Sequence, residues 1–474
     1  MMSTTQKMSA RERIESFLDD NSFVEIGGMV KARTTDFNMQ GIDAPSDGVI
    51  TGFGLVDGRL VYVYSQDVSV LGGTIGEMHA KKIVNLIDKA ILMGAPIVGL
   101  IDSNGVRLQE SSDALNALGE IYKTMSDASG VVPMVTGVFG NCGGSLAILA
   151  SMSDFTYVDE DAKLFVNSPN ALPGNYTEKC DTASAKYQAK NTDNVDFVGS
   201  EAEVIANLRN LVSILPVNND DEAVDACNDD LNRLVSGIEG SIDDPALFLA
   251  QIADNGVVCE LKSEYAGNMA TAFIKLNGAT IGVVANRNKK YDENGEVVCN
   301  CGGKLSSKGC VKAADFINFC DAFNIPVLSI TNTDGFMACE CSEKKIAKAS
   351  SKLAFAFAGA TVPKVNLITG KALGSAYVVM NSKGLGADMV YAYPDAQIGC
   401  MDAKSASEII AKDCDAATVE ADYAKLQLNV ESAAARGYVD TIIDPAETRK
   451  YLIGAFEMLS SKLDTTPSRK HGTI

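Results

Sequence analysis

Apolar residues along this chain fall into two alternating kinds of run. In GEMHAKKIVNLIDKAILMG and GCVKAADFINFCDAFN they recur every three or four positions, which predicts amphipathic helices. After each comes a short unbroken run opened by proline, Pro96-Ile-Val-Gly-Leu-Ile and Pro326-Val-Leu-Ser-Ile. Such runs predict strands covered on both faces. A Gly turn follows each, at Asp102–Gly105 and Asn332–Gly335. Then come a helical segment, a second strand (VPMVTGVF or VPKVNLIT) and another glycine turn opening a helix. Upstream of each series, VITGFGLVDGRLVYVYSQD and ATAFIKLNGATIGVVANRN alternate in hydrophobicity around Asp57-Gly58 and Asn277-Gly278, which predicts a hairpin. Strands alternating with helices predict an α/β fold with covered sheets.

The two series are copies. Gly140, Gly144 and Ser145 recur at an offset of 230 as Gly370, Gly374 and Ser375. Of the 50 positions from 96 to 145, 12 match their partner at that offset. Average residue usage gives roughly three, so the pattern indicates an internal duplication. The boundary is expected in the acidic stretch LPVNNDDEAVDACNDDLNRLVSGIEGSIDDPALF, near 238. This gives an N-terminal domain over 1–238 and a C-terminal domain over 239–474.

Each repeat places Gly-Ser between a buried strand and a helix. Glycine lets the backbone approach a ligand closely. The first N–H groups of a helix have no internal acceptor, and the helix dipole adds positive potential there. Such a turn suits an anion, or an oxygen that becomes anionic during reaction.

Composition narrows the choices. A net charge of −20 argues against a nucleic-acid partner. The N-terminal MMSTTQKMSARERIESF lacks an apolar core, so no secretory leader is expected. The 12 cysteines are then expected to be reduced, in a cytoplasmic protein. Cys299/Cys301 and Cys339/Cys341 are spaced too closely for the usual zinc pairs, and no metal site is expected. The two histidines are His79 and His471, and His79 is expected on a helix surface or between domains. GNCGGSL is neither the G-x-S-x-G elbow nor G-x-G-x-x-G, which argues against a Ser145 nucleophile and a Rossmann site.

In long ordered blocks the chain resembles the carboxyltransferase subunits of biotin-dependent acyl-CoA carboxylases and decarboxylases. The blocks include SARERIESFLDDNSFVEIG, SQDVSVLGGTIGEMHAKKI, ATVPKVNLITGKALGSAYVVMNSKGLGADMVYAYP and GYVDTIIDPAETRKYLIGAFEML. The resemblance implies a tandem pair of crotonase-like (ClpP/crotonase) domains. It implies an acyl-CoA thioester held mainly by the first and biotin, delivered on a separate carrier protein, by the second. The family's A-G-G matches Gly143-Gly144-Ser145, so the amides of Gly144 and Ser145 would hold the thioester oxygen as it becomes an enolate. Its K-A-Y-G-G-A-Y matches Lys371-Ala-Leu-Gly374-Ser375-Ala376-Tyr377. The amides of Ser375 and Ala376 would hold the biotin ureido oxygen, and Val378 would line the acyl pocket. Lys81, Lys82 and Arg107 are the cations expected at the CoA phosphates. The partners implied are a biotin carrier protein, a biotin carboxylase or membrane decarboxylase subunit, and further copies of the chain as a dimer or trimer of dimers. Departures from the family pattern cluster in two loops, VNSPNALPGN and MACECSEKKIAKAS. They leave room for a non-catalytic assembly subunit, or for a hydrolase or lyase that uses no biotin.

Overall fold

The structure is a computed structural model. It describes residues 7–34, 37, 39–172, 180–292, 294–411 and 415–464. His471, the closing RKHGTI and residues 173–175 of VNSPNALPGN lie outside them.

The chain divides into two compact units, 1–221 and 222–474. The division falls inside the acidic stretch, upstream of the expected 238. Residues 222–238 pack with the second unit for a physical reason. Val224 bridges to Ala279, the Val235 N–H donates to the Ala446 carbonyl, and Arg233 donates to the carbonyls of Gln251 and Ala253.

In the first unit the strands are β1 (Val24–Ile26), β2 (Val49–Val56), β3 (Arg59–Gln66), β4 (Ile97–Ser103), β5 (Met134–Gly143), β6 (Phe155–Asp159), β7 (Lys163–Phe165) and β8 (Phe197–Gly199). They form one sheet in the order β1-β2-β3-β4-β5-β6-β8, with β7 paired to the end of β5. The β2–β3 hairpin is antiparallel, and from β3 onward every neighbour is parallel. All seven residues of β4 are buried, as the unbroken apolar run requires. The helix Glu77–Met93 buries Ile83, Leu86, Ile87 and Ala90, one stripe of its 3.6-residue period.

The second unit repeats this plan. Its strands are β9 (Val258–Leu261), β10 (Met269–Leu276), β11 (Ala279–Asn286), β12 (Lys289–Tyr291), β13 (Val297–Asn300), β14 (Val327–Thr333), β15 (Lys364–Leu373), β16 (Met389–Ala392), β17 (Gln397–Gly399) and β18 (Thr441–Ile442). The sheet order is β9-β10-β11-β14-β15-β16-β18, with β17 paired to the end of β15. The order is that of the first unit, strand for strand. The hairpin turns are held alike: Asp19 accepts the N–H groups of Asp57 and Gly58, and Asp254 accepts those of Asn277 and Gly278.

One addition to the second copy lies between its hairpin and its first long helix. Strands β12 and β13 form a separate two-stranded sheet between β11 and the helix Ser307–Ala322. The hairpin turns are 220 residues apart and the glycine turns 230. The extra length between these two landmarks in the second copy accommodates this small hairpin, which carries Cys299 on β13.

Candidate active site

Strands β5 and β15 run on past β6 and β16, pair at their ends with β7 and β17, and stop at the two glycine turns. Gly144 sits at φ 61° and ψ −121°, and Gly374 at φ 63°. A side chain at such φ is strained, so glycine is what allows strand to become helix within one residue. The helices Ser145–Ser151 and Gly374–Val379 begin there. Ser375 and Val378 are exposed, Ser145 and Tyr377 are half-buried, and Ala376 is buried. Burial pushes the Tyr377 phenol up to about 12, so it stays protonated.

The amides are distributed differently from expectation in the first unit. The Gly144 N–H donates to the Phe165 carbonyl at 2.8 Å. It extends the β5–β7 ladder and is not available to a ligand. The Ser145 N–H, at the first helical position, has no intrahelical acceptor. The expected pair in the second unit was Ser375 and Ala376, and subtracting the repeat offset gives Ser145 and Leu146. The repeat therefore moves the first donor pair one residue along the chain. The Tyr122 hydroxyl donates to the Ser145 carbonyl at 2.6 Å and steadies this helical turn.

A brace stands behind each turn. Between the pairs Ile101↔Val138 and Ser103↔Cys142, Asp102 faces three residues of β5, Phe139, Gly140 and Asn141. Between Thr331↔Ile368 and Thr333↔Ala372, Asn332 faces Thr369, Gly370 and Lys371. Both strands thus carry the same bulge shortly before the glycine. The facing side chain fills it: a Cβ on Gly140 would lie 1.9 Å from Asp102 Oδ1, and one on Gly370 2.5 Å from Asn332 Oδ1. Asn332 Oδ1 accepts the Lys371 N–H at 3.1 Å. Asp102 instead pairs at 3.1 Å with the buried Arg13, which also reaches Glu201 at 2.7 Å and lies over the Phe139 ring. Sequence reasoning missed Asp102, Asn332 and Tyr122 as supports. The first two occupy matching repeat positions beside invariant spacing to Gly140 and Gly370, a signal that was present.

Two of the three cations expected at phosphates are spent inside the unit. Arg107 is 1% exposed, and its guanidinium is held by Asp47 at 2.6 Å, Glu110 at 2.8 Å and the Thr74 carbonyl at 2.8 Å. Lys82 is buried and donates to the Ser46 carbonyl at 2.9 Å, to the Ser46 hydroxyl and to the Val49 carbonyl. Burial lowers its amine to about 8. Its repeat mate Lys312 does the same, donating to the carbonyls of Lys262, Tyr265 and Met269. These lysines tie helix to sheet, and neither Lys82 nor Arg107 presents a donor at the surface. Lys81 remains exposed, paired with Glu77 at 2.6 Å.

His79 is fully buried, not on a surface. Its Nδ1 lies 2.9 Å from the Asp47 carbonyl and its Nε2 3.1 Å from the Gln66 amide nitrogen. The carbonyl can only accept, so Nδ1 carries the proton and Nε2 accepts from Gln66. Burial pushes the imidazole down to about 3. The folded protein therefore keeps His79 neutral where the unfolded chain, titrating near 6.5, takes up a proton. Its contribution to stability is complete above pH 6.5 and is lost as pH falls toward 3. Between pH 6.5 and 5.5 the wild type is expected to lose roughly 1 kcal/mol of unfolding free energy relative to His79→Gln. Denaturant titrations at the two pH values check this; parallel losses in both proteins contradict it.

In the second unit a cavity of about 450 Å³ opens beside β15, lined by Asn288, Lys289, Asn332, Asp334, Lys371 and Gln397 among others.

Comparison with known proteins decides the family. Residues 4–474 match the carboxyl transferase domain. The chain belongs to the carboxyl transferase family. Within this family it is 38% identical to the methylmalonyl-CoA decarboxylase subunit alpha of Propionigenium modestum, covering 99% of this chain and 93% of that one. It is also 38% identical to the propionyl-CoA carboxylase beta chain of Roseobacter denitrificans, over 99% and 94% of the two chains. Among solved structures, transcarboxylase 12S, described as a hexamer with hydrolysed methylmalonyl-coenzyme A bound, superposes with a TM-score of 0.90 at 34% identity. The likeness covers 98% of this chain and 92% of that one. The chain is thus a carboxyl transferase with the tandem crotonase-like fold, a family that uses biotin on a separate carrier protein and an acyl-CoA. No described helix is long and apolar enough to cross a membrane.

Proposed function

We propose that this chain moves a carboxyl group between carrier-bound biotin and the α-carbon of a short-chain acyl-CoA, with propionyl-CoA and methylmalonyl-CoA as the pair. It would serve as the carboxyltransferase component of a carboxylase or a decarboxylase. The observation that carries this reading is the duplicated glycine turn, with the same bulge, brace and outward helix start in both units.

Both ligands suit the donor set. A thioester oxygen and a ureido oxygen are acceptors without protons, and the first turn of a helix offers N–H donors without acceptors. In this reading Ser145 and Leu146 present their amides to the thioester oxygen and stabilise it as negative charge develops there. Gly144, where a Cβ would meet open space, keeps the approach open and turns the chain, while Gly143 leaves room for the Phe165 ring, which would stand 2.8 Å from a Cβ there. Ser375 and Ala376 present theirs to the ureido oxygen, with Gly374 as the hinge of the turn and Tyr377 as a neutral wall. When bound, biotin supplies the nitrogen that carries the carboxyl group. The exposed Val378 gives the acyl pocket an apolar side suited to a methyl or ethyl group. Lys81 is the surface cation left for a CoA phosphate. No side-chain base is assigned, which agrees with a buried, neutral His79. Further copies of the chain, a biotin carrier protein and a biotin carboxylase or membrane decarboxylase subunit are the partners this reading entails.

The test is direct. Purified chain, biotinylated carrier and methylmalonyl-CoA are incubated, and propionyl-CoA and carboxylated carrier are followed. Carboxyl transfer dependent on the carrier is the expected result. No transfer from any short malonyl-type thioester would leave an assembly subunit, and thioester turnover without carrier would leave a hydrolase or lyase.

A further inference from the structure

The small hairpin that breaks the repeat carries chemistry that carboxyl transfer does not use. Cys299 is the third residue of β13 and Cys301 follows the strand's end. Residues two apart on extended backbone point to one side. Accordingly Cys301 Sγ lies 3.3 Å from Cys299 Sγ, close enough for one thiol to donate to the other. Cys299 is exposed and Cys301 is half-buried. The other close pair is unlike it: the Cys339 sulfur caps a four-residue helix, accepting the Ser342 N–H at 3.4 Å. Among the described residues no set of three Cys, His, Asp or Glu side chains is placed to hold a metal ion.

We propose that Cys299 and Cys301 form a thiol–disulfide pair that a low-molecular-weight disulfide oxidises to an intramolecular bridge. The Cys299 thiolate attacks one sulfur of the reagent disulfide, forming a mixed disulfide and releasing one thiolate. Cys301 loses its proton to solvent and attacks the Cys299 sulfur, forming the bridge and expelling the second thiolate. The two protein thiols are oxidised by two electrons and the reagent is reduced to two thiols. Burial, then the neighbouring Cys299 sulfur, push the Cys301 thiol up to about 12. Capping Cys299 removes the second of these influences, so the first step favours the next. Contact between the sulfurs makes the second step effectively unimolecular.

The bridge would be a labile one. Closing a ring across a single intervening residue draws the chain inward, and strained bridges are the readily reduced ones. The movement has a route to the cavity beside β15. The N–H groups of Cys301 and Gly302 both donate to the carbonyl of Asn288, at 2.8 and 2.9 Å, and Asn288 lines that cavity. Gly303 donates to the Arg287 carbonyl at 3.0 Å and packs against Asn288 and Asn332.

Trypsin isolates the pair, because YDENGEVVCNCGGK, residues 291–304, contains these two cysteines and no others. The full chain is incubated with oxidised glutathione, free thiols are blocked with iodoacetamide, and this peptide is analysed by mass spectrometry. Wild type is expected to give a peptide two hydrogens lighter, unalkylated and restored by dithiothreitol. Cys301→Ser is expected to accumulate the glutathione adduct on Cys299 at least about tenfold more than wild type. Full alkylation of both thiols in wild type, or an adduct on Cys299 as abundant as in Cys301→Ser, would overturn the proposal. The readout needs no carboxyl transfer, so it stands or falls apart from the catalytic assignment.

Discussion

Ser145→Pro is expected to lower kcat for carboxyl transfer by about 10²–10³ while the protein stays folded. Proline deletes one hydrogen-bond donor and little else at this position. Its fixed φ suits the first residue of a helix, where the missing N–H had no intrahelical acceptor. Ser145 is that residue in the helix Ser145–Ser151. Ser145→Ala keeps the amide and is expected to stay within about threefold of wild type, since a backbone donor survives a side-chain change. The interaction strengthens as charge develops, so kcat and kcat/KM should fall together with KM nearly unchanged. Steady-state kinetics with methylmalonyl-CoA, beside thermal midpoints of the three proteins, decide the matter. A proline variant with wild-type kcat would show that this amide does not face the reacting oxygen.

The second unit gives the companion result. Ser375 is the second residue of the helix Gly374–Val379, still in the first turn, where proline is tolerated. Ser375→Pro is expected to cost the same order, about 10²–10³ in kcat, at saturating carrier-bound biotin. The KM for the acyl-CoA should not move, because that oxygen is assigned to the other turn. A rise in acyl-CoA KM with unchanged kcat would instead show that the Ser375 amide holds the acyl-CoA equally in ground state and transition state, and does not face the ureido oxygen. Ser375→Ala is the control, and a loss in it comparable with the proline variant would implicate the hydroxyl.

Much of this was legible in the residues, and the gaps have physical causes. The covered strands β4 and β14, both hairpins and the duplication follow from apolar spacing and turn residues, because local patterning and burial act together there. The glycine turns were visible because positive φ leaves a compositional mark. The direction of a particular N–H leaves none. By residue type Gly144 suits a ligand as well as Ser145 does, but Phe165 takes its hydrogen bond, and that pairing depends on the return of β7 at Lys163–Phe165. Arg107, Lys82 and His79 were misplaced for a related reason. A charged or titratable residue in an amphipathic segment reads as exposed, whereas Asp47 and Glu110 hold Arg107 in the interior and carbonyls hold Lys82. Such compensation is a tertiary property and costs the sequence no visible motif. The division after Asp221 depended in the same way on distant partners, Ala279 and Ala446.

The measurement closest to the central claim is the position of the thioester oxygen in a crystal complex of this chain with methylmalonyl-CoA. The account predicts that oxygen about 2.7–3.1 Å from the Ser145 nitrogen, with the Gly144 N–H still on Phe165. An oxygen held elsewhere, with the Ser145 amide turned to solvent or to a protein carbonyl, would contradict it.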